Sequence, residues 1–166
     1  MKKKFMFGFA VFTLAAVFAV LAQAADKDNL MKLKVKVTDA ANYLSEKGET
    51  ALEEFNDKNG KWGQEPYIFV YNLYGVIIAH PNNPNLIGKN LVGLKDVKGN
   101  LFAQEFVEIA KTKGKGWSEY WWNKMGEKTP SHKISYIMRV PNREMFVGAG
   151  IYEEVSKQEV INMVGE

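Results

Sequence analysis

Residues 116–122 read Gly-Trp-Ser-Glu-Tyr-Trp-Trp and hold three of the four tryptophans in a chain of 166 residues. Read as a β-strand, whose side chains alternate between faces, the stretch points Trp117, Glu119 and Trp121 one way and Ser118, Tyr120 and Trp122 the other. Both faces then carry large aromatic surface. A packed core accounts for one face, and the second requires its own partner: a covering helix, a neighbouring subunit or a small molecule held against rings with polar N–H and O–H groups. Which pair meets which partner stays open at this level.

Working outward from this strand, residues 133–140 and 145–152 are rich in β-branched and aromatic side chains and are flanked by turn-forming segments at 124–132 and 141–143. Upstream, residues 67–71 and 76–80 form two further apolar runs joined by Asn72-Leu73-Tyr74-Gly75, the pattern of a hairpin closed by glycine. Residues 81–99, with their asparagines, prolines and glycines, read as an irregular excursion. A helix follows over about 101–111, with Phe102, Phe106, Ile109 and Ala110 on one face and a glycine stop at Gly114. Residues 153–164 are expected to form a short terminal helix.

The segment before the strands has a different period. Leu30, Leu33, Val37, Ala40, Ala41, Leu44, Leu52 and Phe55 recur at three- and four-residue spacing, which predicts one long amphipathic helix over about 28–57. Gly48 interrupts it at about 1 kcal/mol relative to alanine, marking a break or a close packing contact. One long helix, five strands and one inserted helix make an α+β domain built on an antiparallel sheet.

Residues 1–24 begin with Lys2, Lys3 and Lys4, continue through an apolar run and end Ala22-Gln23-Ala24, the layout of a secretory signal peptide cleaved after Ala24. The alternative is a retained membrane anchor. Those three lysines account for the whole formal charge of +3, so the mature chain is neutral and no nucleic-acid partner is expected. Residues 25–166 suit one domain. With no cysteine in an exported chain, disulfides, thiol catalysis, cysteine-ligated zinc and covalent c-type haem are excluded.

No recognisable catalytic motif is present, and no enzymatic activity, cofactor or metal site is expected. Glu119 with Glu105 or Glu108 offers the only acid–base pairing worth testing. The residues hardest to explain as scaffolding are His80, Tyr120, Trp122, Lys133 and Tyr136, each at or near a strand end beside a loop. Lys133 is placed at the start of its strand and is the natural partner for an anion held within the sheet, with Arg139 on the same face as the substitute. Tyr136 lies on the opposite face from Lys133 in an unbulged strand, so the two meet one ligand only at the strand's entrance or across a bend.

The motifs Tyr-Ile-Phe-Val-Tyr-Asn-Leu-Tyr-Gly-Val-Ile-Ile-Ala-His-Pro (67–81), Leu-Ile-Gly-Lys-Asn-Leu-Val-Gly-Leu-Lys-Asp (86–96), Gly-Trp-Ser-Glu-Tyr-Trp-Trp (116–122), Lys-Ile-Ser-Tyr-Ile-Met-Arg-Val-Pro (133–141) and Phe-Val-Gly-Ala-Gly-Ile-Tyr (146–152), in this order, resemble the single Cache domains, extracytoplasmic sensor modules of PAS-like shape. The resemblance implies a five-stranded antiparallel sheet with the long N-terminal helix on one face and a small-ligand pocket on the other. It implies a short-chain carboxylate ligand at His80, Tyr120, Trp122, Lys133 and Tyr136, and a membrane receptor or kinase as signalling partner. Most such domains are the outer part of a transmembrane receptor; this chain is similar to the stand-alone secreted form, expected in the periplasm. The competing expectation is an interaction protein whose exposed aromatics dock on a membrane receptor or on a second copy as a homodimer.

Overall fold

The computed structural model describes residues 8–166, with side chains from residue 26 onward. The leader expected over 1–24 lies outside the residues whose side chains are described. Among the described residues no helix is long and apolar enough to cross a membrane.

Helix α1 (Gly8–Lys47) buries one stripe against the sheet: Leu30, Leu33, Val37, Ala40, Ala41 and Leu44 are all essentially inaccessible. Each fully buried leucine or valine contributes about 1.5–3 kcal/mol relative to exposure. The single helix expected over 28–57 is broken at Gly48, which adopts φ +68 and starts a short 3-10 turn leading to α2 (Leu52–Asn56). The guanidinium of Arg143 lies 3.2 Å from where a β-carbon on Gly48 would stand. There its Nη2 donates to the Ser45 carbonyl at 3.0 Å. A cation thus meets a carbonyl left open at the negative end of α1, and the backbone angle of Gly48 is what calls for glycine there.

The sheet comprises β1 (Phe69–Asn72), β2 (Ile77–Ala79), β3 (Lys115–Asn123), β4 (Pro130–Arg139) and β5 (Met145–Ile151), in the order β2-β1-β5-β4-β3 with every neighbour antiparallel. Between β2 and β3 runs α3 (Phe102–Glu108), which passes into a π-helical turn (Ile109–Lys113) closed by the Gly114 N–H on the Ile109 carbonyl at 2.9 Å. Helix α4 (Lys157–Val164) opens with a capping box in which Ser156 and Glu159 satisfy each other's backbone N–H groups.

Two cores result, one on each side of the sheet. On the α1 side Ile68, Val70, Trp117, Ile134, Tyr136, Val147 and Ala149 pack under the helix. On the other side α3 covers Tyr67, Phe69, Tyr71, Tyr120, Ile137 and Phe146. The aromatic strand β3 is divided accordingly: Trp117 packs against Tyr136, with ring centroids 4.8 Å apart, and Tyr120 stacks on Phe102 at 4.9 Å. Trp121 does not follow Trp117 into the core. It sits partly exposed on the edge strand, where Asp96 accepts its backbone N–H at 3.0 Å and Lys98 Nζ lies 4.8 Å above its ring.

Candidate functional site

Strand β4 begins at Pro130, earlier than its apolar residues indicate, so Lys133 stands well inside the sheet rather than at the strand's entrance. It is opposite Tyr120 in the β3–β4 register and therefore shares its face. Only 1% of Lys133 is accessible. Its Nζ donates to the Tyr67 hydroxyl at 3.1 Å and lies 4.4 Å from the centroid of the Tyr67 ring and 4.8 Å from that of Tyr152. Among the described residues no carboxylate is within ion-pair distance of it. Burial pushes its pKa down to about 8, against a weaker upward pull from Glu65. A buried ammonium held only by a hydroxyl and ring faces has lost most of its hydration without gaining a counter-charge.

Beside Tyr67 a cavity of about 400 Å³ is lined by His80, Asn82, Asn83, Trp122 and residues 123–127 of the β3–β4 connection. This volume falls in the range of small-molecule sites. His80 follows β2 and is anchored by its backbone N–H, which donates to Asn56 Oδ1 at 3.0 Å. Its Nδ1 accepts the Asn83 N–H at 3.0 Å, which leaves the ring proton of the neutral imidazole on Nε2 as a donor. Burial and the nearby Lys133 charge push the His80 pKa down to about 4. Asn82 donates from Nδ2 to Glu65 at 3.3 Å.

A second cavity of about 440 Å³, lined by Glu65, Pro66, Gly150, Tyr152 and Glu153, shares Lys124 and Met125 with the first. Its chemistry differs. Two carboxylates border it, and the Tyr152 hydroxyl is already committed to the Asn123 carbonyl at 2.8 Å. An anion is better matched by the His80 side.

Of the residues singled out in the sequence, His80 and Trp122 line the first cavity and Lys133 reaches its wall through Tyr67. Tyr120 does not line this cavity; it is buried in the core under α3, with its hydroxyl 3.1 Å from Ser135 Oγ. Tyr136 is separated from the group. It pairs with Trp117 across an unbulged register, faces α1, and has Lys34 Nζ 5.2 Å from its ring. Arg139 is held at the far end of the strand by Glu144 at 2.9 Å. Glu105 binds Ser118 and pairs with Lys157 at 2.8 Å, while Glu119 accepts the Lys157 N–H at 2.7 Å. These carboxylates tie α3, β3 and α4 together, each engaged by Lys157. Tyr67, Asn82 and Tyr152 were not singled out; Tyr67 stands 66 positions before Lys133 and reads only as a strand residue in sequence.

The sequence profile described as Cache domain matches residues 58–166. Over 92 residues, or 55% of this chain, the sequence is 29% identical to the methyl-accepting chemotaxis protein McpP of Pseudomonas putida and spans 17% of that protein. The chain spans about a fifth or less of the length of the curated relatives it matches. A solved structure described as the periplasmic sensor domain of a chemotaxis protein superposes with TM-score 0.58 at 27% identity, covering 89% of this chain and 99% of that one. Another, a Cache chemosensory domain solved to explain carboxylic acid recognition, has TM-score 0.58 at 24% identity, covering 90% of this chain and all of the other, and shows the shared fold. With an antiparallel five-stranded sheet, a leading helix on one face and a profile match over most of the chain, this protein belongs to the Cache domain family.

Proposed function

We propose that this domain is an exported, periplasmic sensor module that binds a short-chain carboxylate in the cavity beside Tyr67. Lys133 supplies the counter-charge, His80 Nε2–H and the Trp122 indole supply further donors, and Tyr120 supports the site from the core beneath. The observation that carries this reading is the unpaired, fully buried ammonium of Lys133. An acid of about four non-hydrogen atoms gains at most about 6 kcal/mol, so affinity in the micromolar to millimolar range is expected. Carboxylic acid recognition by a structurally similar Cache domain supports the ligand class, and the chemotaxis relative supports onward signalling through a membrane receptor. The domain's task in this reading is binding, without chemistry on the ligand.

The test is a thermal-melt screen with acetate, propionate, lactate, pyruvate and succinate, followed by calorimetry on Lys133→Ala. A ligand at a hundred times its Kd stabilises the fold by about 2.7 kcal/mol, a clear melting shift. The reading fails if no acid shifts the melt at millimolar concentration, or if one binds and Lys133→Ala leaves its affinity intact.

A further inference from the structure

Strand β5 ends at Ile151, and Tyr152 follows it directly. The side chain of Tyr152 meets two separate parts of the candidate site. Lys133 Nζ lies over its ring, 4.8 Å from the centroid. Its hydroxyl donates to the Asn123 carbonyl at 2.8 Å. Asn123 closes β3 and begins the run 123–127 that lines the cavity beside Tyr67. Lys124, the next residue of that run, sets its own ammonium 5.6 Å from the same Tyr152 centroid.

Both parts depend on what Tyr152 supplies. The Lys133 ammonium is surrounded by the Tyr67 hydroxyl and ring and the Tyr152 ring, while Tyr120, opposite on β3, is engaged with Ser135. His80 is uncharged at neutral pH, and Glu65 exerts only a weaker pull. A ring face attracts a cation, and more strongly where water is excluded, so the Tyr152 ring favours the charged form of this lysine. The loop has internal bonds: the Glu127 N–H donates to the Lys124 carbonyl at 3.0 Å, and Asn123 Nδ2 donates to the Glu127 carbonyl at 3.0 Å. Tyr152 adds the tie from this loop to the end of β5. Burial and then the Glu65 charge push the phenol pKa up to about 12, so the hydroxyl keeps its proton as a donor.

We propose that Tyr152 is a positioning residue of the carboxylate site, holding the Lys133 ammonium against its ring and the 123–127 wall by its hydroxyl. The inference rests on the carboxylate reading of that cavity. A bound anion needs the cation and the wall at a fixed separation, and a wall already tethered is spared part of the ordering cost on binding.

Two variants separate the two contacts: Tyr152→Phe removes the hydroxyl and keeps the ring, and Tyr152→Leu removes both. In the ligand-free protein, trypsin should cut after Lys124 and Lys128 faster in Tyr152→Phe than in the parent. Calorimetry with whichever of acetate, propionate, lactate, pyruvate and succinate binds the parent should show affinity weakened roughly threefold to tenfold in Tyr152→Phe, and further in Tyr152→Leu. The pH profile divides them again. Affinity should decline over the parent's interval in Tyr152→Phe and at lower pH in Tyr152→Leu, where the ammonium has lost a ring. Parent-like affinity or parent-like cutting in Tyr152→Phe overturns the proposal, as does one pH profile shared by both variants. If none of the acids binds the parent, the carboxylate reading itself fails; the cutting rates then judge the tether alone, and parent-like cutting in Tyr152→Phe overturns it.

Discussion

The Cε of Lys133 passes 2.8 Å from the point where a β-carbon on Gly150 would stand. Gly150 is thus the floor across which the lysine stem reaches Tyr67, and the same point would also meet Ser135 Oγ and the Ile134 carbonyl. Gly148 plays the matching role for the Phe69 ring, 2.5 Å from its own missing β-carbon. The alternating glycines of β5 are spaces for side chains lying flat on the sheet. Gly150→Ala should destabilise the fold by roughly 1–3 kcal/mol, because one contact is backbone and cannot yield. It should also displace Lys133 and weaken carboxylate binding; urea unfolding and calorimetry read the two effects separately.

Burying the Lys133 ammonium without a counter-charge costs the ligand-free fold stability. Its pKa of about 8 in the fold lies below the ordinary 10.5, so the unfolded chain binds more protons across that interval and this group makes stability rise with pH through it. Lys133→Met should therefore raise the urea midpoint of the ligand-free domain at neutral pH, by an amount on the order of 3 kcal/mol. The gap between variant and parent should close as pH rises from about 8 towards 10.5. Carboxylate affinity in the unaltered protein should decline over the same interval as the ammonium is lost. A variant no more stable than the parent at neutral pH would show that the lysine is satisfied without a ligand.

For His80, whose pKa is about 4, the imidazole is neutral throughout ordinary conditions and acts as a donor through Nε2. Carboxylate affinity should show no step near pH 6. His80→Ala should weaken binding by about 1.5–3 kcal/mol, and His80→Gln, which keeps a neutral donor, should recover part of it. A step near pH 6 that disappears in His80→Gln would mean that an imidazolium binds the anion.

On the opposite side of the sheet, Leu33 and Leu44 are 1% and 0% exposed beneath α1. Leu33→Ala and Leu44→Ala should each cost roughly 2–5 kcal/mol in urea unfolding. Ligand affinity should change little in either, because both residues belong to the α1 core and not to the cavity side.

The elements themselves were legible in the sequence because periodicity is local. The three- and four-residue spacing from Leu30 to Leu44, the alternation through β3 and the glycine breaks at Gly48 and Gly114 each depend on side chains within a few positions of one another. The same holds for the opposition of Lys133 and Tyr136, which follows from the two-residue repeat of any unbulged strand. What the sequence could not determine was which face of β3 belongs to α1, since both faces are aromatic and the choice is made by helices distant in the chain. Trp117 went to α1, Tyr120 to α3, and Trp121 to the exposed edge. Nor could the spacing place Lys133 correctly: β4 extends back to Pro130 because β3 supplies hydrogen-bond partners as far as Asn123, and that pairing draws polar residues into the strand. Burial of the ammonium, its contact with Tyr67 and the space left by Gly150 come from β4, β5 and the segment leading into β1 meeting on one face of the sheet, so only the tertiary structure could decide them.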